Sequence, residues 1–215
     1  MDQVVARFSH HVGAIPTRLS VGKSERPKQP CNLSIDQKRC VHEGRVARRA
    51  GKTTSPIFTV IDFELPSTMK RMWVMNVETG ALLHHEQVSH GRNSDRDHDG
   101  RVDPGGLSNI NGSNQSNIGL LKTAETYPST KFQDTALRMD GLEPGFNDNA
   151  RVRDIVMHPA SYADRQEGQK MGRSLGCPAL DPDVGGEVIE TIKEGTLIFQ
   201  YYPDDKWLKE SQFLR

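Results

Sequence analysis

Apolar and polar positions divide the 215-residue chain near residue 57. Upstream, polar and Pro-containing stretches such as Lys23 to Pro30 show neither sustained helical periodicity nor strand alternation. Residues 1–56 are therefore expected to be a disordered segment, and residues 57–215 a folded domain. Phe58 to Leu65 and Arg71 to Val77 are strand-length runs rich in β-branched and aromatic residues. Glu78-Thr79-Gly80 is a turn signal and Ala81 to Val88 a returning strand, which predicts a hairpin over residues 71–88.

Residues 91–118 are dense in Gly, Asn, Ser and Asp, whose side chains bond their own backbone, so a long loop is expected. A loop of this length inside a compact domain is usually functional or disordered, and one wall of a substrate groove is a candidate role. Short strands are predicted at Gly119 to Thr123 and Thr135 to Met139, and another at Arg151 to His158 that Pro159 closes. Asp181 is a good N-cap with Pro182 at the first helical position, and Val184, Val188 and Ile192 share one face. Lys193 and Gly195 end that helix, and Thr196 to Tyr202 reads as a final strand. The sum is a mainly β domain with one or two short helices.

The charges cancel, 28 basic against 28 acidic, so the whole chain offers no electrostatic case for nucleic acid. Their distribution is uneven. Residues 1–56 hold 11 Lys/Arg and 4 Asp/Glu, net +7, leaving net −7 for residues 57–215. The basic segment could touch an anionic polymer or membrane surface, although a solvated tail is the commoner outcome of such runs. No apolar run near the start has signal-peptide length, and none anywhere is long enough to span a membrane.

Three cysteines leave at least one thiol unpaired within the chain. In an oxidising compartment Cys31 and Cys40 could close a short loop, and two incidental tail thiols are the other reading. Cys177 lies between Gly176 and Pro178, nineteen positions after His158. A thiol needs a neighbouring base to become an effective nucleophile, so the two form a candidate dyad. Gly176 permits positive φ, which could aim the N–H groups of Gly176 and Cys177 at a developing oxyanion. Spacing alone leaves a buried, inert cysteine as the stronger reading.

Ile155 to His158, followed by Gly172-Arg-Ser-Leu-Gly-Cys-Pro-Ala-Leu180, resembles the catalytic signature of the murein L,D-transpeptidase catalytic domain family, with its YkuD-like β-sandwich. Val88 to Ser94, Gly112 to Gly119, Thr123 to Tyr127 and Arg138 to Asn147 resemble the same family in the same order, covering about residues 57–203. The resemblance implies a cofactor-free cysteine acyl transferase or peptidase acting on peptidoglycan stem peptides. In the family, the cysteine attacks the carbonyl of a diamino acid joined to a terminal D-amino acid. A thioester forms and D-alanine leaves, and an amine or water then resolves it. It implies Cys177 as nucleophile, His158 as acid/base, and Ser174 as the serine that orients either the loop or the imidazole. Carbapenem-type inhibitors would acylate Cys177, and the location would be periplasmic or at the cell wall.

Two departures mark a divergent branch. The histidine of the commoner Ser-His-Gly-Cys is Leu175, and the arginine two residues after the cysteine is Ala179. A backbone carbonyl or Ser174 would then have to hold the imidazole tautomer. Arg173 is the candidate to meet a stem carboxylate, with Tyr127, Asn147 and Asn149 as candidate groove residues against core or turn roles. The lost partners also motivate a rival, a catalytically silent peptidoglycan-binding module. No metal is expected. Asp95-Arg-Asp-His-Asp-Gly100 starts like a calcium loop, but Gly106 stands where its bidentate Glu belongs. Zinc is disfavoured because adjacent His84 and His85 on a strand face opposite sides.

Overall fold

The computed structural model describes residues 42, 44–131, 134–164, 166 and 168–214. A single eight-stranded sheet organises them, ordered β3-β2-β1-β8-β4-β5-β6-β7. The strands are β1 (Ile57–Asp62), β2 (Met72–Asn76), β3 (Leu82–Glu86), β4 (Gly119–Ser129), β5 (Asp134–Gly141), β6 (Val156–Pro159), β7 (Ala179–Leu180) and β8 (Leu197–Tyr201). Three short helices accompany them: α1 (residues 44–49), α2 (Pro182–Ile192) and α3 (Asp205–Glu210). The mainly β architecture expected from the sequence is present, with α1, α3 and the two-residue β7 added.

Strand alternation explains why both faces of the sheet are covered. Phe58 and Val60, Trp73 and Met75, and Leu197, Phe199 and Tyr201 share one apolar cluster with Ala47, Trp207 and Phe213. Ile61, Met72, Val74, Leu121 and Ile198 point the other way and join Val188, Ile189 and Ile192 of α2. A strand buried on both faces reads as a continuous apolar run rather than an alternating one, which is the texture of β1, β2 and β8. As the sequence predicts, Asp181 caps α2, its carboxylate accepting from the Asp183 N–H at 2.8 Å.

Three differences bear on the site. The folded unit extends upstream of the expected boundary at residue 57: Ala47 is fully buried beside Phe58, and Thr53 Oγ1 donates to the Gly195 carbonyl at 2.5 Å. An upstream helix can be tied down this way because one small apolar side chain finds a gap over β1. Expectations for residues 1–41, including any pairing of Cys31 with Cys40, lie outside the described residues. The strand predicted over residues 151–158 is a turn through Asp154, whose φ is +54°, and strand geometry begins only at Val156. Arg151 is held outward by Asp140 and Glu125, so its segment leaves the sheet.

Candidate active site

β6 and β7 run parallel with His158 opposite Ala179 and Pro159 opposite Leu180. Stepping back two residues on both strands brings Cys177 alongside Val156. The sulfur is there: Cys177 Sγ accepts from the Val156 N–H at 3.5 Å and its thiol donates to the Asp154 carbonyl at 3.5 Å. Register alone therefore brings a histidine and a cysteine nineteen residues apart to one place. Both line a hollow of about 130 Å³ with Lys131, Tyr162, Arg173, Ser174 and Leu175. Cys177 also lines a second hollow of about 150 Å³ with Lys131, Arg153, Asp154 and the loop residues Asn111, Gly112 and Asn114. The long Gly/Asn/Ser loop thus forms a wall beside the thiol.

The imidazole of His158 is fully buried. Its Nδ1 lies 2.8 Å from the Pro159 carbonyl. A carbonyl only accepts, so Nδ1 carries the proton and, in the neutral ring, Nε2 is the basic nitrogen. Tyr162, brought back by the 3-10 turn Ser161–Ala163, approaches Nε2 with its hydroxyl at 3.4 Å. Burial pushes the imidazole down from the usual 6.5 to about 4, against the Pro159 hydrogen bond, with the Lys131 charge adding to the depression. Burial pushes the Cys177 thiol up to about 11, partly offset by the Val156 N–H and by the charges of Lys131 and Arg153. At neutral pH the resting pair is therefore thiol and neutral imidazole.

Ser174 is 4% exposed and organises the turn before the thiol. Its Oγ donates to the Cys177 carbonyl at 2.6 Å and accepts from the Gly176 N–H at 3.0 Å. Of its two expected jobs, it performs loop orientation, while the tautomer is set by the Pro159 carbonyl. Gly176 has φ +128°, and a Cβ there would stand 2.7 Å from Ile155 Cδ1 and 2.8 Å from the Gln115 carbonyl oxygen. Positive φ is thus present as expected, but the Gly176 N–H is taken by Ser174 and is not aimed at an oxyanion. Ser116 braces the same turn, donating to the Gly176 carbonyl at 3.0 Å and accepting from the Gly91 N–H at 3.0 Å.

Other expected residues divide. Arg173 lines the first hollow, yet its Nη1 donates to the Arg92 carbonyl at 3.1 Å and to the Asp95 carbonyl, so it serves first as a strut. Asn147 is fully buried away from both hollows. Its amide donates to the Ile118 and Leu120 carbonyls at 2.8 and 3.1 Å, and its oxygen accepts from the Glu143 N–H, pinning the start of β4. A buried amide with every partner on the backbone is structural. Tyr127 packs with Ala136, Val156 and Cys177 under the Arg138 guanidinium, 4.3 Å from the ring centre, and lines neither hollow. Asn149 is exposed and bonds Asn109.

Leu175 is 52% exposed and borders both hollows, an apolar divider where the commoner motif has histidine. Ala179 is fully buried against Ala163 and Met171, where an arginine could not be accommodated without rebuilding β7. Lys131, Arg153, Tyr162 and the Pro159 carbonyl were not foreseen as site groups. For Tyr162 the signal was its spacing of four from His158, and for Pro159 its adjacency. Lys131 and Arg153 carried none, because turns distant in sequence from Cys177 bring them to the same hollow. Asp95, Asp97 and Asp99 cluster with their oxygens within 4.8 Å. The Asp95 carboxylate is already engaged by His90 Nε2 and the Asp99 and Gly100 N–H groups.

The sequence model describing the L,D-transpeptidase catalytic domain matches residues 32–201. This chain belongs to that family. Among curated proteins, none matches it. Solved L,D-transpeptidases are among the similar structures, at low identity. One from Mycobacterium smegmatis is 14% identical, with TM-score 0.44, over 69% of this chain and 59% of its own. LdtMt1, solved in complex with imipenem, is 15% identical with TM-score 0.41 over 68% and 59%. One from Xylanimonas cellulosilytica is 16% identical with TM-score 0.36 over 73% and 68%. The shared region thus spans less than two thirds of the first two relatives. The family match begins upstream of residue 57, in keeping with the packing of Ala47 and Thr53 onto this L,D-transpeptidase domain.

Proposed function

We propose that this L,D-transpeptidase family member acts on peptidoglycan stem peptides as a transpeptidase or carboxypeptidase, through a thioester on Cys177. The carrying observation is the β6–β7 register that sets His158 and Cys177 on one hollow, with Nδ1 of the imidazole fixed on the Pro159 carbonyl. A thiol near 11 beside an imidazole near 4 favours proton transfer during attack over a standing ion pair. His158 Nε2 takes the thiol proton as sulfur bonds the diamino-acid carbonyl carbon. On collapse the C–N bond breaks, and the imidazolium returns the proton to the departing D-alanine amine. An acceptor amine or water then attacks the thioester, losing its proton to His158; the C–S bond breaks and the imidazolium returns the proton to the Cys177 sulfur. With the Gly176 N–H engaged, we assign the oxyanion contact to the Cys177 N–H.

The wall location follows from this substrate; among the described residues no helix is long and apolar enough to cross a membrane. The exposed Leu175 and the raised thiol favour one rival, a silent wall-binding module. Incubation with a tetrapeptide stem separates the two. The unmutated protein is expected to release D-alanine and, with a carbapenem, to carry an adduct on Cys177. Folded Cys177→Ala and His158→Ala variants are expected to lose release by at least about a hundredfold. Release persisting in both variants would refute the mechanism, and stem binding without any turnover would establish the rival.

A further inference from the structure

The imidazole that must take up a proton is fully buried, and its Nδ1–H is already committed to the Pro159 carbonyl at 2.8 Å. Once Nε2 holds the thiol proton, the buried N–H of a charged ring needs an acceptor until the leaving amine takes that proton. The Tyr162 hydroxyl lies 3.4 Å from Nε2, and the two rings meet edge to face with centres 6.3 Å apart. Catalytic hydrogen bonds of an unliganded site are often this long and tighten when substrate binds. Burial, with the Cys177 charge adding to it, lifts the phenol above its ordinary value near 10, so it stays protonated at neutral pH. A carboxylate only accepts and an ammonium only donates, whereas a neutral hydroxyl does both.

Packing fixes where this hydroxyl stands. Tyr162 packs against the buried cluster of Ala163, Met171 and Ala179, and its carbonyl accepts from the Gly172 N–H at 2.8 Å. A Cβ at Gly172 would stand 2.6 Å from that carbonyl oxygen and 2.8 Å from Tyr162 Cβ, so the chain leading to Cys177 holds the tyrosine at close range. From this arrangement we propose that Tyr162 is a further catalytic residue of the site, its hydroxyl donating to the neutral His158 imidazole and accepting from the imidazolium. As the thiol gives its proton to Nε2, the S–H bond breaks, the N–H bond forms, and the hydroxyl turns so that its oxygen faces the new N–H. When the imidazolium passes that proton on, the hydroxyl turns back. Tyr162 neither gains nor loses a proton in either half of the reaction. A hydrogen bond to a charged group is stronger than one between neutral groups, so the hydroxyl stabilises the imidazolium more than the resting ring. Of the charges that bear on the ring, Lys131 opposes its protonation and Asp154 favours it. This role rests on the His158–Cys177 reading above, whose reacting nitrogen the hydroxyl touches.

Alkylation of Cys177 by iodoacetamide requires removal of the thiol proton but neither a stem peptide nor a leaving amine. Its rate is followed on the full chain at neutral pH by peptide mass spectrometry. His158→Gln is expected to slow it by at least about tenfold, and Tyr162→Phe by about tenfold, the lower end for a hydrogen bond to a charged group. Mono- and difluorotyrosine placed at position 162 keep the hydroxyl and nearly the same ring size, while the oxygen becomes a poorer acceptor. The rate should fall stepwise along that series, a trend that packing alone would not produce. Alkylation of Tyr162→Phe within about twofold of the unmutated rate, or a rate that stays level or rises along the fluorinated series, overturns the role of Tyr162. A rate that His158→Gln leaves unchanged overturns it too, since Nε2 is then not the base. D-alanine release by the unmutated protein is measured separately. A stepwise fall without release from any stem keeps the role of the hydroxyl and discards the stem-peptide reading, and release with a level series does the reverse.

Discussion

Replacing Ser174 by alanine isolates what the serine does for the proposed nucleophile. Ser174 is 4% exposed, and its hydroxyl serves two backbone groups at once, the Cys177 carbonyl at 2.6 Å and the Gly176 N–H at 3.0 Å. Alanine leaves both without that partner, and a buried polar group so stranded costs roughly 1–3 kcal/mol. The two share one oxygen and the turn can relax, so a loss of about 2–3 kcal/mol is expected. A domain of ordinary stability, about 5–15 kcal/mol, survives this. The thiol should suffer more than the fold. Gly176 sits at φ +128° between Ile155 and Gln115, and small rotations of the turn displace Sγ from His158. Misplacement by about 1 Å can cost on the order of a hundredfold in rate. Urea unfolding gives the first quantity, and the rate at which a carbapenem modifies Cys177, followed by intact-mass spectrometry, gives the second. Destabilisation under about 0.5 kcal/mol, together with an acylation rate within about twofold of the unmutated protein, would refute the argument.

Two further outcomes follow from buried charge and its partners. Burial lowers the His158 imidazole to about 4 and, more strongly, the His90 imidazole, which the Arg71 charge depresses further. Between the unfolded value near 6.5 and about 4 the unfolded chain binds more protons, so stability should fall as pH falls. For His158 that is about 3 kcal/mol by pH 4, and His158→Gln should give a shallower pH slope in urea unfolding. A slope equal to that of the unmutated protein would remove His158 as its source. Glu143, 1% exposed, accepts from the Leu120 N–H at 2.7 Å, Trp207 Nε1 at 3.1 Å and Ser211 Oγ at 2.5 Å, tying α3 to β4. Glu143→Ala should destabilise by about 3–5 kcal/mol and expose Trp207, read as red-shifted tryptophan emission. An unshifted spectrum at full stability would contradict this.

What was legible in the sequence was local. The β2–β3 hairpin, with Gly80 at φ +72° in its turn, and helix α2 with its Asp181 cap are written in residues within a few positions of one another. The motif around His158 and Cys177 was legible because their spacing survives in one stretch of chain. The same local logic misread Arg151 to Asp154 as strand, since nothing nearby reveals that Arg151 is drawn away by Glu125 and Asp140.

The sequence by itself determined most of the strands, the α2 cap and the candidate reacting side chains, because those depend on backbone preferences and on chemistry carried within a few residues. Only the tertiary structure decided who surrounds them. Asn147 went to the core because the start of β4 offered it carbonyls from 27 and 29 positions away. Arg173 became a strut because the carbonyls of Arg92 and Asp95 came within reach. Lys131 came to border the same hollows as Cys177 because β5 pairs with both β4 and β6. Those assignments turn on strand register, and a register joins residues that no local pattern relates.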